Sequence, residues 1–427
     1  MIIQLKNFGP IEFFEFDTDK DMHFIFGENN IGKSYAISAV YLILKNWNLF
    51  IDELNEDKEY LAKTIHNLEL SRVDENKNSV IQSVFDKTIQ NKFTSKVEKS
   101  FSNSYSSIGE LINKKNKEVF KIIINTHDFT IEITQNDEGL YSHFIPLNKN
   151  SALEKAITSD KYSLQTTDFI NTLKNSNDIQ SLYFLPASRS GIYSVLSGFT
   201  GLIVQLTQFR NEVPTLKFEI PNLSEPLADY YLNISNIKEK AYNTPFSWFA
   251  KEMEANIIKG KINFDKLNHK LYYEPINLDL SLELSEVSSM ISEIASIIAY
   301  LKFIIKYNEN GESKGDNYLF IEEPEAHLHP KIQVELIKLF AEMAKKGLKV
   351  VMTSHSNYMF NKLSNMILAK EIDPNTITVA HMKLGEKGSY IDKNSMHVDE
   401  FGIEDNNFAD VAEELYMERL KLYEQTP

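Results

Sequence analysis

The chain contains no cysteine. That excludes a disulfide framework, thiol catalysis and any zinc site built on thiolates, and it fits a reducing, cytoplasmic setting. An excess of basic charge is also missing. Lys and Arg number 45 against 60 Asp and Glu, a net charge of −15, which excludes a protein that coats nucleic acid with its whole surface but leaves room for a local basic groove. Long uncharged apolar runs are absent too. The most apolar stretch, residues 287–307, carries Glu293, Lys302 and Lys306, whereas a membrane span needs about 20 mostly uncharged residues. Its apolar positions recur at three/four spacing, so it reads as a buried helix, and no membrane partner is expected. The opening segment alternates like a strand, without the basic head and apolar block of a signal peptide. No sustained heptad seam and no internal repeat are evident.

What is present is globular. A length of 427 residues with 42% apolar and 25% charged residues suggests two or three domains at roughly 100–200 residues each. The 27 Phe and 20 Tyr supply ample core volume. Along the chain, residues 1–50 read as three strands, a glycine-bearing loop and a helix. Residues 51–180 read as polar, solvated helices forming an arm or lid, followed by a strand pair at Phe120–Ile124 and Phe129–Thr134. Residues 181–283 begin with a short strand ending in Pro186-Ala187-Ser188-Arg189, continue as helices and finish in strands. Residues 284–427 alternate helix and strand, the pattern of a parallel sheet with helices on both faces. The motif-bearing segments lie at both ends. The expected architecture is therefore α/β, one mixed or parallel sheet built from N- and C-terminal segments around a largely helical insert.

Gly27-Glu28-Asn29-Asn30-Ile31-Gly32-Lys33-Ser34 matches G-x-x-x-x-G-K-[ST] between a strand and a helix. The spacing suits a polyphosphate. Through Gly27, Asn29, Asn30 and Gly32 the backbone turns its N–H groups onto the anion, and the helix N-terminus adds partial positive charge. Lys33 reaches the β/γ-phosphates and the Ser34 hydroxyl binds Mg²⁺. A second motif, Tyr318 to Ile321 followed by Glu322-Glu323-Pro324-Glu325, is a buried strand with carboxylates at its C-terminal edge. Glu322 is placed to hold Mg²⁺ and Glu323 to act as general base, unless the run is a solvated acidic turn. A third strand, Val350 to Thr353, ends in Ser354-His355-Ser356. His355 there is either structural or a hydrogen-bonding sensor of the γ-phosphate.

Together the P-loop, the run from Glu322 to Pro330 and Thr353-Ser354-His355-Ser356 resemble the ABC-type ATPases of the SMC and OLD group. ATPases of this kind occur in anti-phage systems such as Gabija, Septu and PARIS. The resemblance covers residues 1–45 and 284–365, extends to Leu182–Gly191 and is absent from most of the middle. It implies an ATP- and Mg²⁺-dependent hydrolase working as a homodimer or higher even-numbered oligomer, with ATP between one subunit's P-loop and the other's signature helix. The matching signature segment is Leu284 to Met290, where Ser288 and Ser289 are both candidates for the contact across the dimer. Met290 stands where the family usually has glycine. Arg189 is expected to touch nucleotide, to bridge to the signature region or to form a structural ion pair. His327 and His329 belong to the family's run without a metal role.

About 70 residues follow His355, fewer than a C-terminal nuclease domain of OLD type needs. The expected effector is thus a separate nuclease or toxin, with this chain as the regulatory subunit. Two other readings stay open: an SMC-like DNA-binding ATPase, and an ATP-binding scaffold with little turnover. The Lys- and Asn-rich helices of 80–120 leave nucleic acid possible as a partner, although acidic residues interleave with the lysines.

Overall fold

The structure is a computed structural model and describes residues 1–59, 63, 77–105, 111, 118–136, 139–147, 162–176, 178–194, 223–237, 244–306, 315–392, 396–405 and 416–421. The chain opens with β1 (Ile2–Phe8), β2 (Ile11–Asp17) and β3 (Met22–Phe26), then the P-loop helix Lys33–Glu56. A helical stretch over residues 77–104 leads to β4 (Lys121–Asn125), β5 (Phe129–Asn136) and β6 (Gly139–Pro146). Helix Tyr162–Ser176 precedes β7 (Ile179–Leu185). Helices Glu225–Ser235 and Pro245–Glu252 then lead to β8 (Gly260–Asp265), β9 (Lys270–Pro275) and β10 (Leu282–Glu283). After the helix Ser289–Ala299 come β11 (Asp316–Glu322), helix Pro330–Lys345, β12 (Leu348–Ser354) and helix Asn357–Leu368. The chain continues through β13 (Ile377–Leu384) and β14 (Ser389–Ile391), with β15 (Met396–Asp399) and β16 (Gly402–Asp405) forming a separate hairpin.

Eleven strands form one mixed sheet in the order β6-β5-β4-β1-β2-β14-β13-β3-β12-β11-β7. The block β13-β3-β12-β11-β7 is wholly parallel, and β2-β1-β4-β5-β6 is antiparallel. Here the two ends of the chain meet. N-terminal β3 lies between C-terminal β12 and β13, pairing Phe26 with Ser354 on one side and His381 on the other. The intervening chain supplies β4 to β7 of the same sheet as well as its helices, while β10-β9-β8 make a separate three-stranded sheet.

The parallel strands are buried on both faces, so their side chains divide with period two between two cores. Tyr318, Phe320 and Val351 face the core that contains the P-loop helix. Leu319, Ile321, Val350 and Met352 face the one that contains helices Ser289–Ala299 and Pro330–Lys345. Phe24 and Phe26 follow the second set, while buried His23 stacks on Phe16 with ring centroids 4.1 Å apart.

Two differences from the sequence reading concern the middle. The described helices of residues 77–104 are not a solvated arm: Phe85, Ile89, Phe93, Val97 and Phe101 are all fully buried in the core shared with the P-loop helix. Lys92 and Lys96 on the outer side are taken up by Glu53 and Asp57, so they form an ion-paired surface rather than a free basic stripe. The strand pair gains a third member, β6, whose outer edge is not open. Gln90 accepts from the Ser142 N–H and donates to the Leu140 carbonyl, and Asp86 accepts from the Phe144 N–H. Side chains thus replace the missing strand and protect the edge against further pairing. Among the described residues no helix is long and apolar enough to cross a membrane.

Candidate functional site

The sequence motifs converge where β3, β12, β11 and β7 end side by side, at the carboxyl edge of the parallel block, the edge at which α/β sheets bind ligands. The loop after β3 turns through left-handed backbone at Asn30 (φ 61°) and Gly32 (φ 88°), with Gly27 at φ 145°. A side chain at Gly27 would collide with the Met382 carbonyl, so this loop needs glycine there. Gly32 caps the P-loop helix, whose first turn holds no acidic residue to offset its positive end. Loop and helix therefore present a ready anion site.

Lys33 is buried. Its Nζ donates to the carbonyls of Gly27 at 2.9 Å and Glu28 at 2.7 Å and lies 3.5 Å from His355 Nδ1. Burial pushes its pKa down to about 8, and the carboxylates of Glu323 and Glu325 pull the other way. Across the same imidazole, His355 Nε2 lies 3.4 Å from Glu323 Oε1. Lys33, His355 and Glu323, read separately from three motifs, thus form one chain of contacts.

The two consecutive glutamates have opposite environments. Glu323 is half exposed, with its backbone at φ 42°, a left-handed conformation uncommon for a non-glycine residue and typical of functional turns. The hydrogen bond with His355, with the His355 and Lys33 charges beside it, holds its carboxyl below the usual range against the effect of burial. Glu322 is buried; its Oε2 accepts from the Ala187 N–H at 3.0 Å, and the Ser34 hydroxyl bonds to it. Burial raises its pKa, with those hydrogen bonds opposing. Ser34, exposed at the start of the helix, and buried Glu322 therefore bring a hydroxyl and a carboxylate together, the hard oxygen donors that Mg²⁺ accepts. The donor set fits that ion.

Arg189 forms an ion pair, one of its expected roles. Its guanidinium pairs with Glu293 of helix Ser289–Ala299, Nε to Oε2 at 2.9 Å, with both side chains fully buried. It also donates to the carbonyls of Pro186, Glu322 and Glu323. Ser288 occupies the N-cap of helix Ser289–Ala299, but its hydroxyl makes no capping bond, and both Ser288 and Ser289 are exposed. Neither is brought to the P-loop by a described hydrogen bond within the chain. His329 caps the helix Pro330–Lys345, its Nδ1 accepting from the Lys331 N–H at 3.3 Å.

Sequence reasoning gave Glu325 no role. Its Oε1 accepts from the Ser354 hydroxyl at 2.7 Å and the His355 N–H at 2.6 Å, fixing the backbone that carries the histidine. The available signal was its place in the Glu322-Glu323-Pro324-Glu325 run, two residues beyond Glu323.

A glycine loop with its lysine, a Ser–Glu pair and a Glu–His pair at one sheet edge define a P-loop nucleotide-binding protein. Comparison with protein families agrees: the AAA ATPase domain family matches residues 1–360, and the chain belongs to that family. Membership implies ATP binding and hydrolysis. No curated protein matches. Among solved structures, the SMC head bound to the C-winged helix domain of ScpA is 11% identical, with a TM-score of 0.39 and coverage of 92% of this chain and 96% of that one. The SMC head domain from Thermotoga maritima is 9% identical (TM-score 0.38, coverage 92% and 97%). An SMC head domain with an extended coiled coil, bound to the C-terminal domain of ScpA from Pyrococcus furiosus, is 10% identical (TM-score 0.37, coverage 92% and 95%).

Proposed function

We propose that the protein is an ABC-type, Mg²⁺-dependent ATPase that closes as a homodimer, or a higher even-numbered oligomer, around ATP shared between subunits. The observation that carries this reading is the contact chain from Lys33 through His355 to Glu323 beside the Ser34–Glu322 pair. The loop N–H groups from Gly27 to Gly32 bind the polyphosphate, and the Lys33 ammonium leaves its carbonyl partners to neutralise the β/γ oxygens. Ser34 and Glu322 would hold Mg²⁺, which when bound supplies charge neutralisation at those oxygens. Glu323, ionised at neutral pH, orients the attacking water and takes its proton as the bond to the γ-phosphorus forms and the bond to ADP breaks. His355, held by Glu325, offers its ring N–H to the γ-phosphate and so distinguishes ATP from ADP. Ser288 or Ser289, exposed at a helix start, contributes to the partner's site.

Glu323→Gln keeps the shape of the site and removes the base. It should bind ATP, lose turnover by about 100-fold or more and accumulate as an ATP-bound dimer in size-exclusion chromatography with light scattering. An ATP-bound mutant that stays monomeric would contradict the shared-site reading.

The switch is proposed to regulate a separate nuclease or toxin in an anti-phage system. Support for this step is the likeness of the three motifs to ATPases of such systems. Capture of the protein from its native cells with a nuclease or toxin subunit, released or retained according to the nucleotide, is the expected result. Capture of a fully active ATPase with no such subunit in either nucleotide state would contradict it.

A further inference from the structure

Arg189 and Glu293 join two parts of the machinery that the proposed dimer uses at different ATP sites. The guanidinium Nη1 donates to the Pro186 carbonyl at 3.0 Å and the Glu322 carbonyl at 2.7 Å, and Nη2 to the Glu323 carbonyl at 3.3 Å. It thereby grips the backbone of both acidic residues. On its other side Nε faces Glu293 Oε2 at 2.9 Å, and neither atom has an aligned hydrogen-bond partner, so charge alone closes this contact. Glu293 Oε1 accepts from the Ser190 N–H at 3.1 Å and the Ser190 hydroxyl at 2.8 Å. Glu293 lies about one helical turn after Ser289, at the same end of the helix as the signature serines.

A buried ion pair is a weak source of stability, since two packed apolar side chains would serve as well or better. What the pair adds is direction. A planar fork with several fixed donors holds carbonyls and a carboxylate in one relative arrangement, which an apolar contact does not. A shift of the Glu322–Glu323 peptide is therefore passed to the start of the signature helix, and the reverse, through a core too dense to absorb it.

We propose that Arg189 is a positioning residue that, through Glu293, couples each subunit's catalytic carboxylates to the helix with which that subunit completes its partner's ATP site. The inference rests on the shared-site reading above. Its consequence is that the two sites of a dimer turn over cooperatively.

The test uses the full chain carrying Glu293→Gln or Arg189→Lys, with folding checked by thermal melting. ATP affinity is measured by titration with a fluorescent nucleotide, and phosphate release over a range of ATP concentrations. Wild type should show a Hill coefficient above 1, with about 2 as the ceiling for two sites. The variants should bind ATP within about twofold of wild type, lose kcat by about tenfold or more and fall to a Hill coefficient near 1. Ser190→Ala removes one hydrogen bond to Glu293 without stranding a buried charge. It carries the test where the charge variants do not fold, with an expected loss in kcat of about threefold. Folded variants with the wild-type kcat and Hill coefficient would overturn the proposal, as would parallel losses in affinity and kcat. A wild-type protein that stays monomeric in ATP would instead overturn the shared-site reading and this coupling with it. That outcome differs from unaffected variants in a wild type that does dimerise.

Discussion

Nucleotide affinity should fall as pH rises through the titration of Lys33. Burial lowers this ammonium to a pKa of about 8, against the pull of Glu323 and Glu325. Phosphate oxygens select the charged form, so binding above that pH must first restore the proton. The apparent dissociation constant then scales as one plus the ratio of neutral to charged lysine. That factor is about 1.1 near pH 7 and about 11 near pH 9, a tenfold loss of affinity, or about 1.4 kcal/mol. The sign is fixed: affinity is full below the lysine pKa and declines above it. Isothermal titration calorimetry with ATP in two buffers of different ionisation enthalpy measures both quantities, and near pH 8 it should register uptake of about half a proton per site. Lys33→Arg, whose side chain does not titrate in this range, should bind more weakly but lose the slope. An affinity that stays flat or improves between about pH 7 and 9 would refute the assignment of Lys33 as a buried, phosphate-binding ammonium.

Two further expectations test separate parts of the molecule. His355→Ala should lower kcat by about 10- to 100-fold while leaving ADP affinity unchanged, measured by phosphate release and nucleotide titration; a wild-type rate would remove the sensor role. Phe93→Ala should destabilise the protein by about 3–5 kcal/mol, the range for truncating a buried aromatic, read from denaturant unfolding. A loss below about 1 kcal/mol would mean that the helices of residues 77–104 are not part of the core.

The site was legible because each motif has a local cause. Only glycine suits the turn at Gly27, a lysine and a serine must follow Gly32, and the acids and His355 fall at the ends of apolar strands. The parallel block was legible for the same reason, since β3, β11 and β12 are short apolar runs bounded by turns. The helices of residues 77–104 were not. Phe85, Ile89, Phe93, Val97 and Phe101 recur at every fourth position and all are buried. In a regular α-helix that spacing drifts by about 40° per step and leaves one face within a few turns. Here a wider π-helical turn at Ile89–Thr94 falls within the series and winds the drift back, so the seam stays on the core. A search for three/four periodicity reads such a segment as irregular. β6 escaped because Gly139-Leu140-Tyr141-Ser142-His143 mixes polar residues into both faces, and its edge is completed by Gln90 and Asp86 from far along the chain. The bond from Arg189 to Glu293 joins residues 104 positions apart, beyond any local pattern.

Phosphate release by the purified protein with ATP and Mg²⁺, compared with its Lys33→Ala variant, tests the central claim most directly. Steady release by the wild type that falls to background in the variant, with folding intact by thermal melting, is the predicted result. Equal release from both proteins, or none from either under conditions where ATP binds, would contradict it.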